Sequence, residues 1–277
     1  MIKIIIRSKI FLTILIVLFI MGFSTSAKSL LGFPGFIPYM ADPLVEVPTA
    51  INPLSVVYPA SLQHYRKQTK EYVKTFSKKE REYIIHIFSK GKKYFPRALE
   101  VLDRFDVPQE LQMIPILESN FNANAVSPVG AVGYWQFMST LAKEYGLRIE
   151  GKYDERRNFG KSTIAAAKFF RDQLDYFDDD LLLSVAAYNC GQGRVRASIK
   201  KYGKPNATFW EIKRYLPSET RKFVMNFIAL NVIFSNYEKF LSKELNFNEP
   251  PLIQISARDS AIKKDSLSAD SLAVVAL

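Results

Sequence analysis

The 277-residue chain has one cysteine, Cys190, and only two histidines, His64 and His86. A single thiol can form neither an intramolecular disulfide nor a multi-cysteine metal site, so the fold must be held by its hydrophobic core. We expect both histidines on solvated helix faces. Their scarcity argues against serine–histidine, cysteine–histidine and zinc-peptidase chemistry. No metal site and no cofactor are predicted.

Glycine-rich phosphate loops and alternating strand patterns are also missing. No glycine-rich loop follows a strand, which argues against nucleotide chemistry. No segment combines sustained period-two alternation with hairpin turns, so few strands are expected. Apolar residues instead recur at three- and four-residue spacing, as in Tyr83, Ile84, Ile87 and Phe88. With 48% hydrophobic residues, the sequence predicts an all-α fold with one sizeable core.

The N-terminus is typical of an export signal. Lys3, Arg7 and Lys9 precede an apolar stretch of signal-peptide length, 10–23, and small residues surround a cleavage point after Ala27. We therefore predict a signal peptide at 1–27 and a location in the periplasm or cell envelope. An uncleaved inner-membrane anchor is the alternative, although the stretch is short for a full span.

The rest of the chain divides into four predicted parts. They are a proline-rich extended linker at 28–60, an N-terminal helical extension at 61–104, a catalytic domain at 105–245 and a flexible tail at 246–277. Pro96 is expected to divide the extension into two helices. Asp106 and Pro108 are expected to start a helix that ends at 118 or 119, before a loop at 120–133. A long helix is expected at 218–241.

The net charge of the chain is +11. Removing 1–27 removes three cations and no anions, and leaves 35 − 27 = +8. Such a protein is attracted to polyanions, which in the cell envelope are wall polymers and lipid surfaces. A lysine-rich soluble surface without a specific partner is the alternative. The export signal argues against nucleic acid as a partner, and association with a membrane or envelope surface stays open.

The run LQMIPILESNF at 111–121 is almost wholly apolar until Glu118. A carboxylate at the end of an apolar helix is costly to ionise, so we expect a raised pKa for Glu118. A raised pKa is what a general acid needs near neutral pH. The alternative is a helix-end glutamate that points into solvent.

Two further stretches contain residues suited to sugar binding. AVSPVGAVGYWQFM at 125–138 combines glycines, which permit close approach of a ligand, with aromatic faces and an amide. We expect Trp135 itself to pack in the core. AAYNCGQGRV at 186–195 places Tyr188 and Asn189 at a predicted helix end, where side chains can project into a cleft. Capping by Asn189 and a core edge position for Tyr188 are the alternatives.

Several ordered motifs resemble the lysozyme-like lytic transglycosylases of the soluble murein transglycosylase (SLT) type, most of all the membrane-bound transglycosylase D group. They are ESNF at 118–121, SPVGAVGYWQFMSTLAKEYGL at 127–147, YDERRN at 153–158, AAYNCGQGRV at 186–195 and LPSETRKFV at 216–224. The resemblance implies an all-α lysozyme-like domain of the goose-lysozyme type with a glycan-binding cleft. It implies Glu118 as catalytic acid and base. The substrate-binding residues it implies are Ser119, Ser127, Gln136, Phe137, Met138, Tyr188 and Asn189.

The implied reaction cleaves the β-1,4 bond between N-acetylmuramic acid and N-acetylglucosamine of peptidoglycan without water, and leaves 1,6-anhydromuramic ends. Asp154 and Glu155 could approach in the fold, but the resemblance gives them no role. This sequence departs from the family's pattern in two places. It has Phe223 where the family often has tyrosine, and its tail is too short for a C-terminal LysM module. The alternatives are a hydrolytic muramidase and a non-catalytic peptidoglycan-binding protein on the same fold.

Overall fold

The computed structural model describes residues 55–248, all within the structural unit Ala50–Leu277. The predictions for 1–27, for most of the linker and for most of the tail lie outside these residues. Helices make up most of the described chain and strands very little of it, which confirms the all-α prediction. The α-helices are α1 (Arg66–Lys79), α2 (Arg81–Gly91), α3 (Phe95–Arg104), α4 (Ile114–Ser119), α5 (Ser139–Glu144), α6 (Phe159–Tyr176), α7 (Leu181–Cys190), α8 (Gln192–Tyr202), α9 (Phe209–Ile212), α10 (Ser218–Phe234) and α11 (Tyr237–Leu241).

Short 3-10 helices and one hairpin complete the fold. The 3-10 helices are Ala60–Tyr65, Gln109–Met113, Glu155–Arg157 and Lys213–Tyr215. The strands β1 (Ile149–Glu150) and β2 (Tyr153–Asp154) are antiparallel, and Ile149 pairs with Asp154. Among the described residues, no helix has the length and apolar content needed to cross a membrane.

Local side chains account for several helix ends. Asn158 accepts from the backbone N–H of Lys161 at the start of α6, and Asp180 accepts from that of Leu183 at the start of α7. Such N-caps satisfy donors that have no partner inside the helix. The helix end predicted at Tyr188 and Asn189 is confirmed, since α7 ends at Cys190 and is followed by Gly191 with φ of 87°.

Three helix boundaries differ from the sequence predictions. The range 61–104 holds three α-helices rather than two, because α1 also ends at Glu80. Asp106 has φ of 51° and caps no helix. The predicted helix 218–241 is interrupted after Phe234, since buried Asn236 uses its amide to donate to the carbonyls of Val57 and Val232. These long-range contacts have no local signature.

One hydrophobic core joins the whole described range. α10 packs against α1 and α7, and α3 packs against α6. Trp135 is fully buried, as predicted, and its indole N–H donates to Thr163. Both histidines are exposed, which also agrees with the prediction. The boundary at 104/105 stays a prediction, although buried residues on both sides of it contribute to this core.

The hairpin and the loop that follows α4 are joined by Arg156. Its side chain is buried, pairs with Asp154 at 2.7 Å and donates to the carbonyls of Gly130 (3.3 Å) and Phe137 (3.0 Å). A buried guanidinium that is paired and hydrogen-bonded in this way fixes the segments it connects. The loop at 130–137 is therefore held rigidly below the end of α4.

Gly133 is the position in this loop where no larger residue fits. It has φ of 84°, and a Cβ placed there would lie 2.1 Å from the carbonyl oxygen of Arg156. We expect G133A to lower the free energy of unfolding by about 2–4 kcal/mol, measured by denaturant titration. The matched control is G130A, whose φ is 86° but whose Cβ would meet nothing within 4 Å. That change should cost only about 1–2 kcal/mol, and equal losses in the two variants would refute the steric explanation.

Candidate active site

Glu118 lies in the last turn of the short helix α4. The helix is anchored by the buried side chains of Ile114, Pro115 and Ile116, and it ends where Asn120 adopts φ of 52°. The helix therefore ends one residue after Glu118, and Glu118 lies partly exposed at the rim of the core. The apolar run seen in the sequence thus places a carboxyl group at the boundary between core and solvent.

The surroundings of Glu118 favour its neutral form. Burial first, and the negative charge of Glu219 second, together raise the pKa of Glu118 to about 8. Within residues 55–248, no hydrogen bond or ion pair to its carboxyl group is formed. Because neither a cation nor a donor of this part of the chain stabilises the anion, the group can hold its proton at neutral pH. It is the arrangement that a general acid requires.

Glu219 is the residue near Glu118 that the sequence did not single out. It lies exposed in the first turn of α10, within the family-like stretch 216–224. The acidic residue at a helix start was the available signal, but its proximity to Glu118 depends on how α10 packs. Asp154 and Glu155, the acids considered from the sequence, are instead paired with Arg156 and Lys161.

Tyr188 on α7 is the aromatic residue next to Glu118. Its ring stacks on Phe170, with centroids 4.9 Å apart, and meets Phe137 edge-on at 6.0 Å. Its hydroxyl donates to the carbonyl of Trp135. Burial holds the pKa of Tyr188 well above its usual value, and the charge of Glu118 acts in the same direction. Tyr188 is therefore a neutral hydrogen-bonding group that is fixed on both sides.

Ser119 binds the backbone carbonyl that precedes the one bound by Tyr188. Its hydroxyl donates to the carbonyl of Tyr134 at 2.8 Å. Since Tyr188 donates to the next carbonyl along the chain, two consecutive peptide groups are held beside the end of α4. Ser119, which the resemblance implies as a substrate-binding residue, thus uses its hydroxyl to position the backbone of the loop.

Gln136 follows directly and has a left-handed backbone with φ of 49°. Its side-chain amide donates to the carbonyl of Gly133 at 2.8 Å and to that of Ala125 at 3.3 Å. A non-glycine residue in this conformation is uncommon and is often found at functional sites. Gln136 is partly exposed.

The other predicted residues fall into two groups. Met138, 45% exposed, and Asn189, partly exposed, are open to a ligand. Phe137 is 1% exposed and packs under Tyr188, so it presents no surface to a glycan as it lies. The Ser127 hydroxyl accepts from the N–H of Ala131 and closes a turn.

Within residues 55–248 no group of three or more His, Cys, Asp or Glu side chains is placed to hold a metal ion.

Comparison with known proteins gives matches over the same region. The family model described as Transglycosylase SLT domain matches residues 102–210. Membrane-bound lytic murein transglycosylase D of Escherichia coli K12 is 33% identical over 177 residues, which are 63% of this chain and 38% of that protein. Peptidoglycan transglycosylase gp16 of phage T7 is 36% identical over 96 residues, 34% of this chain and 7% of that protein. The chain thus spans less than two fifths of the length of either relative.

Solved structures of soluble lytic transglycosylases are also similar. An inactive mutant of Slt from Pseudomonas aeruginosa has a TM-score of 0.45 at 21% identity, covering 55% of this chain and 25% of that one. The 70 kDa enzyme from Escherichia coli has a TM-score of 0.42 at 23% identity, covering 53% and 25%. The similarity to this family rests on the sequence matches. Residues 102–210 of this chain are therefore similar to the family described as Transglycosylase SLT domain.

Proposed function

We propose that the chain is a peptidoglycan lytic transglycosylase in which Glu118 is the catalytic acid and base. The observation that carries this proposal is the state of Glu118, whose partly exposed carboxyl group has a pKa of about 8. Its position in the stretch similar to the transglycosylase SLT domain, beside Tyr188 and the loop at 130–137, supports the same function. Peptidoglycan glycan strands are the substrate, bound in a cleft beside α4.

The first step is protonation of the leaving group. The neutral Glu118 donates its proton to the oxygen that joins N-acetylmuramic acid to N-acetylglucosamine, and the bond to C1 of the muramic residue breaks. The N-acetyl group of that residue stabilises the positive charge that develops at C1. Tyr188 and Ser119 hold the loop at 130–137 in place beside the end of α4, because they bind the carbonyls of Trp135 and Tyr134.

The second step returns the proton. The ionised Glu118 removes a proton from the C6 hydroxyl of the muramic residue, and the resulting oxygen attacks C1. The product carries a 1,6-anhydro bond, and no water is consumed. One carboxylate is sufficient for this sequence because it acts first as acid and then as base. Met138 and Asn189, the more open of the predicted residues, contact the sugar rings.

A hydrolytic muramidase is the second candidate, and Glu219 is the observation that favours it. A second carboxylate close to the acid could direct a water molecule to C1, as in two-carboxylate glycosidases. Mass spectrometry of muropeptides released from intact sacculi separates the two, because anhydro products are lighter than hydrolysed products by one water. Anhydro ends are expected. Hydrolysed ends alone would replace the proposal with the muramidase, and no release at all would favour a non-catalytic binding protein.

The proposed location is the cell envelope. Peptidoglycan lies outside the cytoplasm, and the predicted signal peptide at 1–27 would export the chain to it. The name of the Escherichia coli relative describes that protein as membrane-bound. Attachment of this chain to a membrane would be tested by fractionation of cells that express it at native level.

The pH dependence of activity follows from the pKa of Glu118. The first step needs the protonated acid, so kcat/KM should fall as pH rises through about 8. E219Q removes a charge that raises this pKa, and the falling limb should then move to lower pH. The matched control is E238Q, an equal change beyond the other end of α10, about 25 Å away along its axis. A limb that moves equally in both variants, or in neither, would contradict the assignment.

A further inference from the structure

The two residues that follow α4 both have left-handed backbones. Asn120 and Phe121 each have φ of 52°. Asparagine adopts this conformation more readily than most residues, but phenylalanine rarely does. The N–H groups of Asn120 and Phe121 donate to the carbonyls of Ile116 (3.0 Å) and Pro115 (3.2 Å) in α4. A turn of this kind keeps its shape only when contacts from the surrounding structure hold it.

Tyr83 on α2 supplies the contact to Asn120. Its hydroxyl donates to the side-chain oxygen of Asn120 at 2.7 Å. Asn120 is exposed, whereas Tyr83 is partly buried. Burial first, and the negative charge of Glu80 second, raise the pKa of Tyr83 to about 12. The hydroxyl therefore keeps its proton and remains a donor at any pH near neutral.

Aromatic rings supply the contacts to Phe121, which is 2% exposed. The ring of Tyr94 stacks on that of Phe121 with centroids 4.6 Å apart, and the ring of Phe95 meets it edge-on at 5.7 Å. The Tyr94 hydroxyl also lies 3.4 Å from that of Tyr134, whose carbonyl accepts from Ser119. The turn and the loop beside it are thus held by α2 and by the chain that leads into α3.

The residues that hold the turn lie outside the part of the chain that matches the family. The family match begins at residue 102, whereas Tyr83, Tyr94 and Phe95 precede it. The candidate acid and its turn therefore belong to one part of the chain, and the groups that fix the turn belong to another.

We propose that Tyr83 is a positioning residue for Glu118 and acts through its hydrogen bond to Asn120. This inference rests on the proposed function, since it explains how the proposed acid is kept in one orientation. Asn120 is the residue at which α4 ends, two residues after Glu118, so a shift of its backbone changes the direction of the last turn of α4. A small displacement of an acid from its reacting atom lowers the rate strongly.

The test compares Y83F with the matched control Y72F. The hydroxyl of Tyr72 on α1 donates to Asn226 of α10 at 2.7 Å, so each variant loses one tyrosine–asparagine hydrogen bond of the same length. On soluble glycan strands, Y83F should lower kcat about 5- to 20-fold and change KM by less than about 2-fold, because the contacts that bind the substrate are unaltered. Y72F should keep both values. Thermal unfolding of both variants checks that the fold is intact.

N120G tests whether the effect of Tyr83 passes through Asn120. Glycine adopts the left-handed backbone readily, so N120G keeps this conformation accessible but loses the acceptor of the hydrogen bond. N120G and Y83F/N120G should both lower kcat to the same extent as Y83F, because a contact shared by two residues can be lost only once. Additive losses in the double variant, or a loss in N120G without one in Y83F, would overturn the inference.

Hydrogen exchange separates a failure of this inference from a failure of the proposed function. Exchange at the N–H groups of Asn120 and Phe121 is followed in the full chain and needs no turnover. It should be about 3- to 10-fold faster in Y83F than in the unchanged protein and unaltered in Y72F. Faster exchange in Y83F, with no anhydro product from the unchanged protein, would overturn the proposed function alone. The inference itself is overturned by unaltered exchange in Y83F, by faster exchange with unchanged kcat, or by equal losses of kcat in Y83F and Y72F.

Discussion

E118Q is expected to lower the rate of anhydromuropeptide release from sacculi by about 10²–10⁴-fold, the usual contribution of a general acid–base. Glutamine has nearly the same shape as glutamate but can neither donate a proton to the glycosidic oxygen nor accept one from the C6 hydroxyl. Asp154 and Glu155 cannot take over, because they are paired with Arg156 and Lys161, and the neighbouring Glu219 is exposed, so nothing buries it in the way that favours a protonated acid. The rate is measured by mass spectrometry of released products over time.

The same variant should be more stable than the unchanged protein, which distinguishes lost chemistry from lost folding. The pKa of Glu118 is about 8 in the folded chain and about 4.5 when unfolded. Folding therefore retains a proton between these values, and the stability of the unchanged protein falls as pH rises from about 4.5 to 8. Glutamine has no such dependence. We expect E118Q to gain about 1–3 kcal/mol at pH 8 relative to pH 4.5, measured by denaturant unfolding at both values.

The turnover and the stability of E118Q together decide whether Glu118 is the catalytic acid. A folded E118Q chain that retains turnover would exclude Glu118 as the catalytic acid. An inactive E118Q chain that unfolds more readily at pH 8 would mean that the carboxylate is structural. E219Q is the natural comparison, since it removes a neighbouring carboxylate but leaves the acid of the proposed mechanism in place.

The features that the sequence predicted are those encoded by neighbouring residues. Glu118 follows an apolar run, and the direction of its pKa follows from that run alone. Gly191 ends α7 because its backbone is left-handed, and Trp135 is buried as a large apolar residue in an apolar context. Helix type and the position of the candidate acid therefore needed no knowledge of the packing.

The features that the sequence did not predict depend on contacts between distant segments. Glu219 reaches Glu118 only because α10 packs against α4, and Asn236 interrupts the last long helix only because Val57 lies beside it. Phe137 shows a related difficulty. Its motif suggested a ligand-facing side chain, but an aromatic residue in a tight loop can also turn inward and support its neighbour, as it does beneath Tyr188.

R156M is expected to produce the largest loss of stability among the variants considered. Arg156 is 6% exposed and satisfies the carboxylate of Asp154 and the carbonyls of Gly130 and Phe137. Methionine fills part of the space but leaves the largely buried carboxylate of Asp154 without its cation. It also removes the side-chain donor to both carbonyls, of which that of Phe137 keeps the N–H of Val132. Breaking a buried ion pair in this way costs about 3–5 kcal/mol. Denaturant unfolding measures the change.

The comparison with Arg157 tests whether burial and pairing, rather than charge alone, carry this effect. Arg157 donates to the carbonyl of Ala123 at 3.0 Å near the surface, so R157M should cost about 1 kcal/mol or less.

The stability lost in R156M should depend on pH. The hydrogen bond from Arg156 keeps the pKa of Asp154 below its usual value, so the ion pair stabilises the fold above about pH 4, and this stabilisation is lost as pH falls further. The free energy of unfolding lost in R156M should therefore be smaller in acid, and D154N/R156M should recover part of that free energy at neutral pH.

Because Arg156 also holds the loop that carries Gln136, a folded R156M chain should turn over more slowly. Unchanged turnover would show that the loop keeps its place without the buried pair.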